Sequence, residues 1–188
     1  MNISAPQGKE LLKLARRTIS LELGSAVGDE PVLADPIFAQ PAATFVTLKI
    51  KNQLRGCIGS LTPQGSLAEN VRNNAINAAF HDFRFGPLRR EELATVHIDI
   101  SILTEPKELS YDRGEDLLKK LRPGVDGIIL RLGSASATFL PQVWQQLPEP
   151  EQFLGHLCRK AGLSADCWRD QYPVIEVYQV RCFAEEGA

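Results

Sequence analysis

A cysteine thiolate is favoured by a guanidinium close by, and the block Leu54-Arg55-Gly56-Cys57-Ile58-Gly59 sets an arginine two residues before a cysteine. Residues two apart on a strand emerge on the same face. Arg55 is therefore expected to pair with a Cys57 thiolate or to bind a carboxylate, and Cys57 is the candidate nucleophile or redox thiol. Thiol catalysis also wants a base. His81, His97 and His156 are the only histidines, and none stands in a recognisable protease context. Glycines inside a strand mark a bulge or the close approach of a ligand or another backbone, so Gly56, Ile58 and Gly59 join Arg55 as candidate binding positions. Small residues that let two lobes pack closely explain the same block without any chemistry.

A second set of polar groups lies in Phe80-His81-Asp82-Phe83-Arg84-Phe85-Gly86-Pro87, a loop anchored by three aromatics. Asp82 and Arg84 are expected to hold it through local hydrogen bonds or an ion pair. They are also candidate positioning or binding groups. Other chemistries find less support. Gly-Cys-Ile-Gly-Ser lacks the lysine and the helix of a phosphate-binding loop. No ligand set has metal spacing, and His156 and Cys158 point in different directions on a helix. Basic clustering with interleaved aromatics, as nucleic-acid binding requires, is missing. No cofactor and no metal are expected, and no nucleic acid or membrane partner.

The elements that must carry these residues read as follows. Lys9 to Leu23 has helical spacing of Leu11, Leu12, Ala15, Ile19 and Leu23, stopped by Gly24. Gly28 to Pro41 is a proline-broken loop. Thr44 to Ile50 alternates as a half-buried strand, and Lys51-Asn52-Gln53 connects it to the strand of the six-residue block. Ser66 and Glu69 form a capping box for a helix with Leu67, Val71, Ala75, Ala78 and Ala79 on one side. Asn70, Arg72, Asn73, Asn74 and Asn77 make its other, solvated side. Thr95 to Leu103 is a strand with His97, Asp99 and Ser101 facing away from its apolar side. Glu115 to Arg122 is a charged helix, and Asp126-Gly127 is a turn or an edge bulge. Val125 to Leu132 and Ala137 to Leu140 are strands. Pro141 opens a helix, Glu151 to Ala161 carries another, and Trp168 covers the core. Val174 to Glu185 reads as one final strand buried on both sides.

With 188 residues, 44% hydrophobic and 23% charged, the composition is that of a soluble globular chain of one domain or two small lobes. A net charge of -2 offers no global attraction to phosphate backbones. No apolar run is long enough to cross a bilayer, and the N-terminal residues lack the build of a secretory signal. A cytoplasmic location is expected, with Cys57, Cys158, Cys167 and Cys182 kept as thiols and the last three buried as small hydrophobes. Hairpins outnumber helical crossovers, which points to α+β with antiparallel sheet.

Several blocks together resemble one family, the AMMECR domain, whose bacterial and archaeal members are called AmmeMemoRadiSam system protein A. They are Phe45-Val46-Thr47-Leu48, Leu54 to Gly59, Asp82 to Phe85 with Pro87, and Ile100 to Thr104 with Pro106. Gly124 to Gly127, Thr138-Phe139-Leu140-Pro141-Gln142-Val143-Trp144 and Leu157 to Leu163 complete the set. The matches run from about residue 8 to about residue 184, so the resemblance implies one AMMECR domain over 8–184. It implies an α+β fold of two unequal lobes with antiparallel sheets flanked by helices. It also implies a cleft between them, with both chain ends in the larger lobe. The six-residue block would face that cleft. The family's usual Asp-Pro-Arg-Phe reads Asp82-Phe83-Arg84-Phe85 here, which implies a less rigid loop.

The family has no settled activity. The resemblance implies an accessory or binding protein that takes a protein, peptide or metabolite in the cleft and acts with a Memo-type protein and a radical SAM enzyme. The competing expectation is an enzyme using Cys57, with Arg55 and Asp82 as positioning groups. An available sheet edge leaves a homodimer open.

Overall fold

Ser4 starts the first helix. Its side chain accepts from the Gln7 backbone while the Gln7 side chain reaches back, a capping box that begins α1 (Ala5–Glu22) one turn earlier than expected. In the computed structural model, which describes residues 3–185, α1 packs on α2 (Leu67–Phe80), started by the expected Ser66–Glu69 box. Between them the chain makes a short 3-10 turn, Pro36–Ala39, capped by Asp35. The strands β1 (Thr44–Ile50) and β2 (Gln53–Gly59) follow. Lys51 and Asn52 have φ of 50° and 61°, the left-handed pair that matches a two-residue hairpin to strand twist.

With β3 (Val96–Leu103) and β8 (Val180–Ala184), these strands form a sheet in the order β2-β1-β3-β8. Val46, Leu48, Ile98 and Ile100 from one face of it meet Leu11, Ile19, Leu67, Val71 and Ala75 from the two helices, all without exposed surface. The helix face expected to be solvated is only partly so. Asn70 Nδ2 donates to the carbonyls of Ala42 (2.9 Å) and Gly65 (2.9 Å). Asn74 Nδ2 donates to Thr44 O at 3.0 Å and Thr44 Oγ1 at 2.9 Å. The carbonyls around the start of β1 need donors, and asparagines on the helix supply them.

The chain up to Leu103 with the segment from Arg181 is one compact unit, and Thr104–Val180 is the other. In the second, β4 (Lys107–Glu108), β5 (Gly127–Leu132), β6 (Ala135–Phe139) and β7 (Val174–Tyr178) form a sheet in the order β4-β7-β5-β6. Its helices are α3 (Gly114–Lys120), α4 (Pro150–Lys160) and the single turn α5 (Cys167–Asp170). Pro141–Gln145 is a 3-10 turn that buries Trp144, stacked on Phe153 at 3.8 Å between ring centroids. Trp168 is buried as expected.

Asp126-Gly127 proves to be an anchor. The buried Asp126 carboxylate accepts from Arg122 at 2.6 Å and Gln179 at 3.1 Å, and its carbonyl accepts from Trp144 Nε1 at 2.7 Å. Gly127 is required because a Cβ there would lie 2.4 Å from the Tyr178 ring.

Three expectations are corrected. Cys158 and Cys167 are bonded as a disulfide, because the turn after α4 returns α5 to the buried stripe that carries Cys158. Cys182 is exposed. The expected final strand is two strands in different sheets. The chain changes sheet at Gln179, whose N–H donates to Thr104 Oγ1 at 2.9 Å while its carbonyl accepts from the Thr104 N–H at 2.9 Å. Burial on both sides fails with it, since Val174 is 47% exposed. Helices flanking two antiparallel sheets make the fold α+β, as expected. Among the described residues, no helix is long and apolar enough to cross a membrane.

Candidate functional site

β2 lies at the edge of its sheet. Its register with β1 sets Leu48 opposite Gly56 but Lys49 opposite Leu54, so Arg55 is an extra residue. A bulge re-aims the side chain it carries, and the same-face argument for Arg55 and Cys57 does not survive it. Arg55 is committed elsewhere. Its Nε donates to Glu92 Oε1 at 2.8 Å, and its Nη2 donates to Glu92 Oε2 at 3.1 Å and Pro87 O at 3.2 Å. Arg55 does bind a carboxylate, and the carboxylate is the protein's own. The Arg55 hydrogen bonds hold the Glu92 pKa down at about 2. Glu92 sits in the 3-10 turn Arg90–Glu92, and no local pattern links positions 55 and 92.

Cys57 lies opposite Thr47. Antiparallel pairs alternate between hydrogen-bonded and more closely spaced non-hydrogen-bonded kinds. Cys57 is of the second kind, for its backbone groups face outward. Its N–H donates to Asp82 Oδ2 at 2.8 Å, and its carbonyl accepts from Arg84 Nη2 at 3.1 Å. Arg84 is bound in turn to both Asp82 oxygens, at 2.9 and 2.6 Å. The expected Asp82–Arg84 ion pair therefore exists, and it also grips the strand. These contacts, led by the Arg84 hydrogen bonds, keep the Asp82 carboxyl well below the usual carboxylate range. The half-buried Cys57 thiol is free, with Sγ 3.2 Å from Thr47 Oγ1.

The remaining block residues divide by face. A Cβ on Gly56 would lie 2.1 Å from the Ala78 carbonyl, so α2 rests directly on β2 there. Ile58 packs into the core on the same side. A Cβ on Gly59 would lie 2.3 Å from Thr44 O and 2.4 Å from the Phe45 ring.

On the sheet face turned away from the helices, the register ranges Cys57, Thr47 and Asp99 across three strands, with Lys49 beside His97. Lys49 Nζ lies 2.5 Å from Asp99 Oδ2, and His97 Nε2 lies 3.7 Å from Asp99 Oδ1. Thr47 and Lys49 were not singled out from sequence. Strand alternation holds the signal, but only the register shows which of the alternating residues are neighbours. His81 caps the C-terminal end of α2 and is exposed, and His156 lies on α4 of the other unit. Among the described residues, no group of three or more His, Cys, Asp or Glu could hold a metal ion. One face of the sheet thus carries a thiol beside a hydroxyl, and next to them a carboxylate contacted by a lysine and an imidazole, with the Cys57 backbone clamped from the side.

A sequence model of the AMMECR1 family matches residues 12–183. A protein of Methanothermobacter thermautotrophicus is 37% identical over 187 residues, which span 98% of this chain and 97% of that one. A protein of Methanosarcina acetivorans is 40% identical over 174 residues, 88% of this chain and 85% of its own. Among solved structures, the crystal structure of the uncharacterized protein PH0010 from Pyrococcus horikoshii superposes with a TM-score of 0.83 at 34% identity. It covers 98% of this chain and 94% of that one.

Proposed function

The chain belongs to the AMMECR1 family, and from that premise we propose that it is a cleft-bearing accessory or binding protein. It takes a protein, peptide or metabolite at the face carrying Cys57, Thr47, Lys49, His97 and Asp99, and acts in the cytoplasm with a Memo-type protein and a radical SAM enzyme. One observation supports binding over catalysis: the hydrogen bond made by the Cys57 thiol is to a hydroxyl, at 3.2 Å. A nucleophilic thiol would want a base in that place. Asp82 and Arg84 serve this reading as the clamp that fixes the Cys57 backbone, and Arg55 as the support of the loop beside it.

The test is retention of a purified Memo-type protein on the immobilised chain. Cys57→Ser keeps size and face and should retain it. The Cys182→Ser variant, alkylated fully at Cys57 with a maleimide, should lose it. Equal retention before and after alkylation refutes the assignment of the face.

The second reading is an enzyme with Cys57 as nucleophile or redox thiol, favoured by the Thr47 hydroxyl, which could donate to a thiolate. It predicts that Cys57 alkylates at neutral pH faster than a free cysteine of pKa about 8.5. A rate no faster than the free amino acid's counts against it.

A further inference from the structure

An edge strand shows a row of unpaired N–H and C=O groups on which another strand can form. In β2 those groups belong to the residues whose side chains share the face of Cys57, because the alternate residues bond to β1. At Cys57, both are taken by one ion pair, with Asp82 accepting from the N–H at 2.8 Å and Arg84 donating to the carbonyl at 3.1 Å. An acceptor and a donor joined to each other at 2.6 Å stand where a neighbouring strand's own carbonyl and N–H would stand. The residue between them turns outward, Phe83 being 94% exposed. The two side chains alone reproduce a ladder rung.

We propose that the Asp82–Arg84 pair is a surrogate strand that closes the β2 edge against a second copy of this chain. Self-pairing is the threat that the geometry singles out. Two β2 strands laid antiparallel about Cys57 form an isologous contact, in which each Cys57 N–H and carbonyl meets the other's. That satisfies the same two groups the ion pair now satisfies. A pairing about Cys57 also sets each Gly56 opposite the other copy's Ile58, and Arg55, the extra residue of the bulge, is paired with its own Glu92, so no like charges face each other across the strands. The role needs no ligand and holds whether or not the face beside it binds one.

The test uses the full chain with Cys182→Ser, which leaves Cys57 as the free thiol. This parent is compared with Asp82→Ala/Arg84→Ala by sedimentation velocity and by cross-linking with a short bis-maleimide. Losing the cap should tighten self-association by about tenfold, the equivalent of one to two net hydrogen bonds. The new dimer should cross-link through Cys57, whose Cα atoms would sit about 5.5 Å apart in a hydrogen-bonded pair. A double variant with the parent's far-UV circular dichroism that sediments as the parent overturns the proposal. So does association without a Cys57–Cys57 cross-link. Should the double variant not fold, two further measurements decide. In wild type the Cys57 amide should exchange slowly with solvent deuterium despite lying on an edge. Arg84→Ala, which frees the carbonyl and leaves Asp82 in place, should still self-associate more than the parent. Exchange at the rate of an open peptide, or an unchanged Arg84→Ala, refutes the cap.

Discussion

Gly56→Ala is the most direct probe of how the block is built. A methyl at this position would lie 2.1 Å from the Ala78 carbonyl oxygen and 3.1 Å from its carbon, both backbone atoms of α2. Neither can rotate away as a side-chain tip would, so helix and strand must separate by about an ångström to reach ordinary contact distance. That movement would loosen the contacts of Ala75, Ala78 and Val71, which have at most 1% of their surface exposed. Overpacking of a tight core costs about 1–3 kcal/mol. In a unit of this size each kcal/mol lowers the midpoint by about 4 °C, for a total of about 4–12 °C.

The assay can isolate the unit concerned. Trp144, Trp168, Tyr111, Tyr172 and Tyr178 all lie within Thr104–Val180, so tryptophan emission follows the second unit, and far-UV circular dichroism also registers α1 and α2. The ellipticity transition should move to lower temperature and ahead of the emission transition. A Gly56→Ala variant whose ellipticity midpoint stays within about 1 °C of wild type, against the 4 °C minimum expected, would refute the claim that this glycine exists for close packing.

Arg55→Ala should cost about 1.5–3 kcal/mol by chemical denaturation, because it removes charge-assisted hydrogen bonds to the partly buried Glu92 and leaves it only the Arg89 backbone N–H at 2.9 Å and the Arg89 side chain at 3.6 Å. The same pair has a pH signature. The Glu92 pKa is lowered from 4.5 to about 2, so its contribution is complete above pH 4.5 and is lost as pH falls toward 2. Wild type should lose stability through that window more steeply than Arg55→Ala, and parallel acid profiles would rule the pair out as the cause. At the alkaline end, burial raises the Tyr111 and Tyr178 pKa values from 10.0 to about 12. Their contribution is complete below pH 10 and is lost as pH rises toward 12, which tryptophan emission should report. Tyr178→Phe removes hydrogen bonds to Thr138 and to the Phe139 carbonyl and should cost about 1–2 kcal/mol, with no loss contradicting the network. Ser66→Ala should cost about 1 kcal/mol through loss of the α2 cap.

Local physics made much of this fold readable without coordinates. A capping box is four residues long, so Ser66 and Glu69 announced α2 by themselves. Alternation has a period of two, so β1 and β3 could be delimited within a residue or so, and the hairpin between β1 and β2 followed from its polar connection. The match of motif blocks along the chain pointed to the AMMECR family and so to two antiparallel sheets with helices.

What sequence left undecided depends on pairs far apart in the chain. The bulge at Arg55 arises from a register that no single strand encodes, and it broke the inference that Arg55 faces Cys57. Glu92 lies 37 residues from Arg55, and Thr47 becomes a neighbour of Cys57 only because a hairpin folds one strand onto the other. Val174 to Glu185 looked continuous, since alternation cannot show which sheet a strand joins; Thr104 decides it by binding Gln179. Cys158 and Cys167 carried no recognisable motif, and only the turn after α4 brings them together. By itself, then, the sequence determined the elements and the position of the block, because propensity, capping and periodicity act over a few residues. The tertiary structure decided which groups Arg55, Cys57, Asp82 and Arg84 bind, because hydrogen bonds and ion pairs are set by distance in space.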